Sequence, residues 1–297
     1  MKSFVKSVCA GAVMCMAMGV AHAADVLLPF SLAYKTTGDV AKTVDEVKQK
    51  LTAAGFEIAG NYSPYDTATI LAITNDELKQ AASKTEFGGY GAAQRVTVTK
   101  VGEEIQVSYT NPIYMANAYR MDADLSGVQG KLKTALGWTQ DYGPAAGRSV
   151  DELHKYHYMI GMEYFDDPSD LAKYDSHDDA VKAVEQGLSA GKGGTSKVYR
   201  IDIPGSKETV FGVALTNGCS SDKFIMNEID FKPLRSTGHL PYEILVSDNK
   251  VYALYARFRI AINFPDLKMV GSNSFVNIMC APNAIEDALT AAADGEI

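Results

Sequence analysis

Apolar and polar positions alternate along two stretches of the chain, residues 95–109 and residues 241–260. A period of two is the pattern of a β-strand that is buried on one face. Turn residues interrupt each stretch once, which predicts two hairpins, and the second strand of the later hairpin is expected to run on to Ile260. A shift of 146 positions aligns Val98 with Ile244, Ile105 with Val251 and Tyr109 with Tyr255. The pattern therefore predicts an internal repeat with one hairpin in each half.

Apolar residues at helical spacing separate further short apolar runs. Val44, Val47 and Leu51 lie on one helical face, and Thr43 with Glu46 predicts a capping box at the start of their helix. By the same criteria we expect the other helices at residues 76–83, 125–136, 178–188 and 284–293. The other strands are expected at residues 26–34, 56–62, 69–74, 157–165, 197–203 and 209–215. Each half then follows one order: strand, helix, two strands, helix or loop, hairpin, helix.

This order favours an α+β fold of two related domains, each a mostly antiparallel sheet with helices packed on one face. Residues 143–147 read Gly-Pro-Ala-Ala-Gly and lie in a segment without periodicity. Such a segment is typical of a domain boundary. We therefore predict a first domain at residues 24–138, a linker at 139–153 and a second domain at 154–297.

The first 23 residues have the pattern of a signal peptide. Lys2 and Lys6 precede an uncharged apolar run at Ser7–Val20, and Ala21-His22-Ala23 offers the small residues of a cleavage site. The run is shorter than a comfortable membrane span, and no other run of spanning length follows it. We expect a periplasmic or secreted protein without a membrane span once the leader is removed.

Charge narrows the expected partners. The chain has 46% apolar and 22% charged residues, as globular proteins do. Removal of the leader takes away two lysines and no acid, which changes the formal charge from −8 to −10. An acidic surface repels nucleic acid and anionic lipid. A small molecule or another periplasmic protein is the expected partner, and pairing of related domains between chains would give a homodimer.

Cys219 and Cys280 are the two cysteines that remain after the leader. An oxidising compartment favours a disulfide between them. Two unpaired buried thiols, or a redox or metal role, are the alternatives that the sequence leaves open. Their wide spacing does not match a Cys-x-x-Cys redox motif.

His154, His157 and Met159, with Met162 nearby, form the densest group of soft ligands. Imidazole and thioether suit copper or haem iron. On a strand His157 and Met159 would share one face and Met162 would lie on the other. The alternative is that a methionine belongs to the core and His154 lies on a solvated helix. The sequence favours a protein without a cofactor, and haem or copper binding at these residues is the other hypothesis.

Tyr255, Arg257 and Arg259 alternate on the predicted second strand of the later hairpin and would share one face. Two arginines beside a tyrosine suit a carboxylate or another anion. The alternative is a surface ladder that pairs with acids on a neighbouring strand. The corresponding positions of the first half hold Tyr109, Asn111 and Ile113. We therefore expect any such ligand site in the second half.

Several segments resemble the bacterial domain of unknown function 302, in two diverged copies. The first half carries Ala54-Gly55-Phe56-Glu57-Ile58 after a helix, and a hairpin that runs into Tyr109-Thr110-Asn111-Pro112. The second half carries Leu240-Pro241 at the start of its hairpin, but Ala256-Arg257-Phe258 stands where the family has Asn-Pro. The resemblance covers residues 26–137 and 157–293. It implies compact α+β domains and supplies no catalytic residues.

The sequence thus favours an exported, non-enzymatic binding or accessory protein. The alternative class is a periplasmic redox, haem- or metal-binding protein that uses His154, His157 and Met159, or the two cysteines. A third hypothesis is an enzyme that acts on a small anion at Arg257 and Arg259.

Overall fold

A computed structural model describes residues 26–295. The predicted leader at residues 1–23 lies outside the described residues. The first half of the described chain contains β1 (Phe30–Thr36), α1 (Val40–Ala53), β2 (Glu57–Tyr65), β3 (Ala68–Thr74), α2 (Asp76–Ala82), β4 (Gln94–Val101), β5 (Glu104–Thr110), α3 (Pro112–Ala118), α4 (Ser126–Leu136), β6 (Gln140–Tyr142) and α5 (Val150–His154). The second half contains β7 (Ser169–Lys173), α6 (His177–Ser189), β8 (Thr195–Asp202), β9 (Glu208–Leu215), α7 (Asp222–Ile229), β10 (Tyr242–Ser247), β11 (Lys250–Ala253), α8 (Ala256–Asn263) and α9 (Ala281–Ala293).

The strands form two antiparallel sheets with helices packed against them, which confirms the predicted α+β class. The first sheet has the order β2-β3-β4-β5-β1-β6 and the second has the order β8-β9-β10-β11-β7. Five strands therefore have the same order in both sheets, because β2, β3, β4, β5 and β1 correspond to β8, β9, β10, β11 and β7. The two hairpins also share one register, because Thr99 lies opposite Gln106 and Leu245 lies opposite Tyr252, at the predicted offset of 146 positions. Val98 and Ile244, which the offset aligns, therefore lie in equivalent strands, β4 and β10, each the third strand of its sheet in this order.

Local capping differs from the prediction at α1. Asp39 caps this helix through a carboxylate that accepts the Lys42 N–H at 2.7 Å. The predicted capping box at Thr43 and Glu46 is wrong, because Thr43 lies one turn inside the helix and its hydroxyl donates to the Asp39 carbonyl. At the start of α5, Ser149 and Glu152 do form a capping box.

Two predicted strands are wrong. Residues 157–165 form turns and bends, and Gly161 has a φ of +84°, a value that suits a turn and not a strand. The strand expected to reach Ile260 ends at Ala253, and the chain then enters α8. The predicted linker at 139–153 is also structured, since it supplies β6 to the first sheet and contains most of α5.

The two halves share a hydrophobic core. One cluster joins Val96 and Val98 of the first half to Val210, Leu245 and other apolar residues of the second. The edge strands β2 and β8 come so close that a Cβ on Gly60 would overlap the Val198 carbonyl. Glycine is therefore required at this position for the halves to pack as they do.

Polar side chains on the opposite face of β4 join the halves through a buried charged network. Glu243 on β10 forms an ion pair with Arg95 of β4, and its Oε2 accepts a hydrogen bond from Arg259 Nε of α8 at 3.1 Å. The Arg259 guanidinium also contacts His239 Nδ1 at 3.2 Å. Burial and the two arginine charges lower the pKa of His239 well below its usual value, so the imidazole is neutral. One carboxylate therefore serves two buried guanidiniums.

Cys219 and Cys280 form a disulfide, with their Cα atoms 5.8 Å apart. The bond ties the short turn before α7 to the start of α9, both in the second half. The described part of the chain contains no helix with the length and apolar character needed to cross a membrane.

Candidate functional site

Helix α7 places two aspartates against the first half, one at each end. Asp222 is its first residue, and its Oδ2 accepts from Tyr62 of β2 at 3.3 Å and from the Leu215 N–H at 3.1 Å. Asp230 directly follows the helix as its C-cap. Both carboxyls are buried, and burial raises the pKa of each to about 7. The two groups differ in what they face.

Asp230 faces an open cleft between the two halves. The cleft has a volume of about 290 Å³, which is room for a small ligand. Its walls come from the end of β2, the following turn, the end of β4, α7 and the loop after α7. The lining residues are Tyr65, Thr67, Thr99, Lys100, Met226, Asn227, Asp230, Phe231 and Arg235.

The Asp230 carboxyl has one satisfied oxygen and one unsatisfied oxygen. Oδ1 accepts the Ser236 N–H at 2.8 Å. Oδ2 has no hydrogen-bond partner, and it is buried, since the whole residue is only 7% exposed. Burial is the main cause of the raised pKa, and the Ser236 hydrogen bond and the charges of Arg235 and Lys232 oppose it. A buried oxygen of this kind needs a partner, and the cleft is where one would lie.

Two cationic side chains line the same cleft. Lys100 forms no ion pair with any described residue, and its backbone N–H donates to Thr67. Arg235 likewise has no ion pair within residues 26–295, and its guanidinium donates to the Asp230 backbone carbonyl. The Arg235 backbone is fixed from the first half, since its N–H donates to Gln106 at 3.0 Å and its carbonyl accepts from Tyr142 at 2.6 Å.

Hydroxyl groups of the cleft wall are hydrogen-bonded to a neighbouring threonine, Thr237. The Thr99 and Thr237 hydroxyls are hydrogen-bonded at 3.0 Å, and Thr237 also interacts with the Tyr65 hydroxyl. Burial, followed by the nearby Asp230 charge, raises the pKa of Tyr65 to about 12. Tyr65 therefore stays protonated at neutral pH. The cleft combines a hydrogen-bonded wall with two cations and one carboxyl that titrates near neutrality.

The predicted arginine site does not assemble. Because Arg257 and Arg259 lie on a helix, they point to different sides of it instead of sharing a strand face. Arg257 pairs with Glu163 at the surface, and its guanidinium lies 4.9 Å from the Tyr255 ring centre. Arg259 is buried in the network with Glu243. The two arginines thus pair with different carboxylates, Glu163 and Glu243, and neither lies on the strand ladder described by the alternative hypothesis.

Arg257 also borders an apolar cavity that contains Met162 and Met269. Its volume of about 20 Å³ is close to that of one water molecule. This cavity is too small for a ligand without movement of its walls. The cleft at Asp230 is therefore the better candidate site.

The predicted histidine and methionine group lies on an irregular surface segment. His154 Nε2 contacts Asn117 Oδ1 at 2.9 Å, and His157 Nδ1 contacts the Met159 carbonyl at 2.9 Å. Met159 is exposed. Among the described residues there is no group of three or more His, Cys, Asp or Glu side chains that could hold a metal ion.

Sequence reasoning did not identify Asp230, Arg235 or Lys100. They belong to no motif, and Lys100 is 130 positions from Asp230 in the chain. A weak signal was the predicted repeat, because two related domains that share an interface are expected to form a cleft between them.

Comparison with known proteins gives no further indication of a site, because no family model, no curated protein and no solved structure matches this chain.

Proposed function

We propose that the protein is an exported, non-enzymatic binding protein that holds a small polar molecule in the cleft between its halves. The observation that carries the proposal is Asp230, which lines a cleft of about 290 Å³ and has a buried Oδ2 without a hydrogen-bond partner. A buried polar atom without a partner costs about 1–3 kcal/mol. A ligand that satisfies it regains this energy on binding.

The side chains of the cleft favour binding over catalysis. Its lining holds one carboxyl, two cations, two threonines and a tyrosine, but no serine, cysteine or histidine. A nucleophile with an adjacent base is the usual arrangement for covalent catalysis. The hydroxyls of Thr99 and Tyr65 are engaged with Thr237, so they act as part of the wall.

Export is proposed from the leader pattern at residues 1–23, and the disulfide between Cys219 and Cys280 is consistent with it. We also propose that each half is a diverged copy of the domain of unknown function 302. The shared strand order and hairpin register support a repeat of one domain.

A variant with a large side chain in the cleft tests whether the cleft binds a ligand. Asn227 is exposed on α7 and lines the cleft, so Asn227→Trp should fill it without disturbing the core. The matched control is Lys223→Trp, an exposed position on the same helix that does not line the cleft. The assay is thermal unfolding with a panel of carboxylates, sulfonates, phosphates, amines, amino acids and sugars.

We expect at least one class of compound to raise the melting temperature of the wild-type protein and of Lys223→Trp, but not that of Asn227→Trp. Ligand-dependent stabilisation follows from binding to the folded state alone. The proposal fails if no class stabilises the protein, or if stabilisation survives in Asn227→Trp.

A further inference from the structure

We propose that the cleft takes a small oxyanion, of the sulfate, sulfonate, phosphate or carboxylate class, and that Asp230 carries a proton while the anion is bound. Lys100 and Arg235 supply the positive charge, and the Asp230 hydroxyl donates to the anion. This inference rests on the proposed function and names the ligand class of the same site.

The distribution of charge favours an anion. The chain without its leader carries a formal charge of −10, yet the cleft is lined by two cations and one carboxyl. Elsewhere among residues 26–295 every arginine is paired with a carboxylate, whereas some lysines are paired, as Lys232 is with Asp266 at 2.6 Å, and the others are not. Lys100 and Arg235 have no carboxylate within ion-pair distance among residues 26–295. Cations left unpaired in a cleft attract anionic ligands.

The geometry of Asp230 requires the proton. Ser236 already occupies Oδ1, so Oδ2 is the oxygen left to bond a ligand in the cleft that Asp230 lines. An ionised carboxylate can only accept a hydrogen bond, and it would repel an anion within hydrogen-bond reach. A protonated carboxyl donates through Oδ2–H, which satisfies the buried oxygen and the anion together. Burial, which raises the pKa of Asp230 to about 7, makes this form accessible near neutral pH.

Other charged or titratable groups face Asp230 from four elements. Tyr65 lies at the end of β2, Lys100 on β4 and Tyr142 on β6, and Lys232 and Arg235 lie on the loop after α7. Burial raises the pKa of both tyrosines, so neither ionises near neutrality. Binding should therefore be linked to one proton, that of Asp230.

Asp222 provides the matched control. It lies at the other end of α7, burial raises its pKa to about 7 as well, and it is not part of the cleft wall. Asp222→Asn removes a second carboxyl of this kind without touching the proposed anion. Asp230→Asn imitates the protonated side chain, because its amide can donate where the hydroxyl would.

The test is calorimetric titration of the mature protein with sulfate between pH 5.5 and 8.5, where the charge of sulfate is constant. In the wild-type protein we expect the dissociation constant to rise about tenfold per pH unit above the pKa of Asp230, as linkage to one proton requires. Asp222→Asn should keep this dependence. Asp230→Asn should bind sulfate with little dependence on pH, and Lys100→Met should weaken binding about tenfold at pH 6 through loss of a charge-assisted contact.

The inference is overturned if sulfate does not bind at pH 6, if wild-type affinity is independent of pH, or if Asp230→Asn retains the pH dependence. These failures are distinguishable from failure of the binding function. A cleft that takes an amine or a sugar would still show stabilisation that Asn227→Trp abolishes, while sulfate would show none.

Discussion

At the scale of single residues, burial gives two aspartates of one helix properties that the sequence does not display. Asp222 and Asp230 look like ordinary surface acids in the printed chain, yet both are buried by the first half of the molecule. The residues that bury them lie more than 130 positions earlier, at Tyr62 and Tyr65. No local pattern encodes such a contact, so neither carboxyl could be predicted.

The raised pKa of Asp230 predicts a pH-dependent effect on stability. Because the folded state binds this proton more tightly than the unfolded state, the stabilisation is fully present below pH 3.8 and is lost as the pH rises through about 7. Asp230→Asn does not titrate. We therefore expect the variant to gain stability relative to wild type between pH 4 and pH 8, by roughly 1.4 kcal/mol for each unit of pKa difference.

Urea denaturation at several pH values measures this difference. Asp45→Asn, on the exposed side of α1, is the matched control for the loss of one carboxyl. A difference between Asp230→Asn and wild type that is constant from pH 4 to pH 8 would contradict the raised pKa.

Glu243 predicts a large loss of stability for a small chemical change. It is the carboxylate of two buried guanidiniums, Arg95 and Arg259, so Glu243→Gln leaves both without a counter-charge. Breaking a buried ion pair in this way costs about 3–5 kcal/mol. Denaturant unfolding of the variant checks the value. A loss below about 1 kcal/mol would show that the network does not hold the halves together.

At the scale of elements, periodicity located most strands and helices. It failed where tertiary contacts decide whether a segment forms a strand, a helix or a turn. Residues 157–165 alternate like a strand and yet form turns, with Tyr158 donating to the Leu267 carbonyl at 2.7 Å. The segment after Ala253 also alternates, although it is a helix. An alternating run of this length fits a strand or a helix end, and only tertiary packing selects between them.

The helical geometry of α8 separates the two arginines that the sequence grouped. Arg257→Ala removes a partly exposed pair with Glu163, and we expect a loss of at most about 1 kcal/mol after solvent screening. Arg259→Ala removes a buried group with contacts to Glu243, His239 and Pro241, and should cost about 3 kcal/mol or more. Denaturation curves of the two variants give the comparison. Equal losses would contradict this placement.

At the scale of the whole molecule, the repeat was readable because hairpin register is encoded locally. The offset of 146 positions that aligned Val98 with Ile244 is also the offset between the paired residues of the two hairpins. The interface between the halves could not be predicted from the sequence, because it depends on which faces of the two sheets meet. The candidate site lies at that interface, so it could be identified only from the fold.

The shared core predicts that both halves unfold together. Trp138 is the single tryptophan and lies in the first half, whereas Leu289 is buried in α9 of the second. Leu289→Ala should cost about 2–5 kcal/mol. If the molecule is cooperative, tryptophan fluorescence and circular dichroism should shift by the same amount. A Trp138 transition that stays at the wild-type position would show that the halves unfold independently.

The most direct test of the cleft is a carbon-detected NMR titration of the Asp230 carboxyl, with Asp222→Asn to separate the two aspartates. The structure predicts a pKa of about 7 in the free protein and a higher value when sulfate is bound. An ordinary carboxyl pKa near 4 that does not change with sulfate would contradict both the buried carboxyl and the anion site built on it.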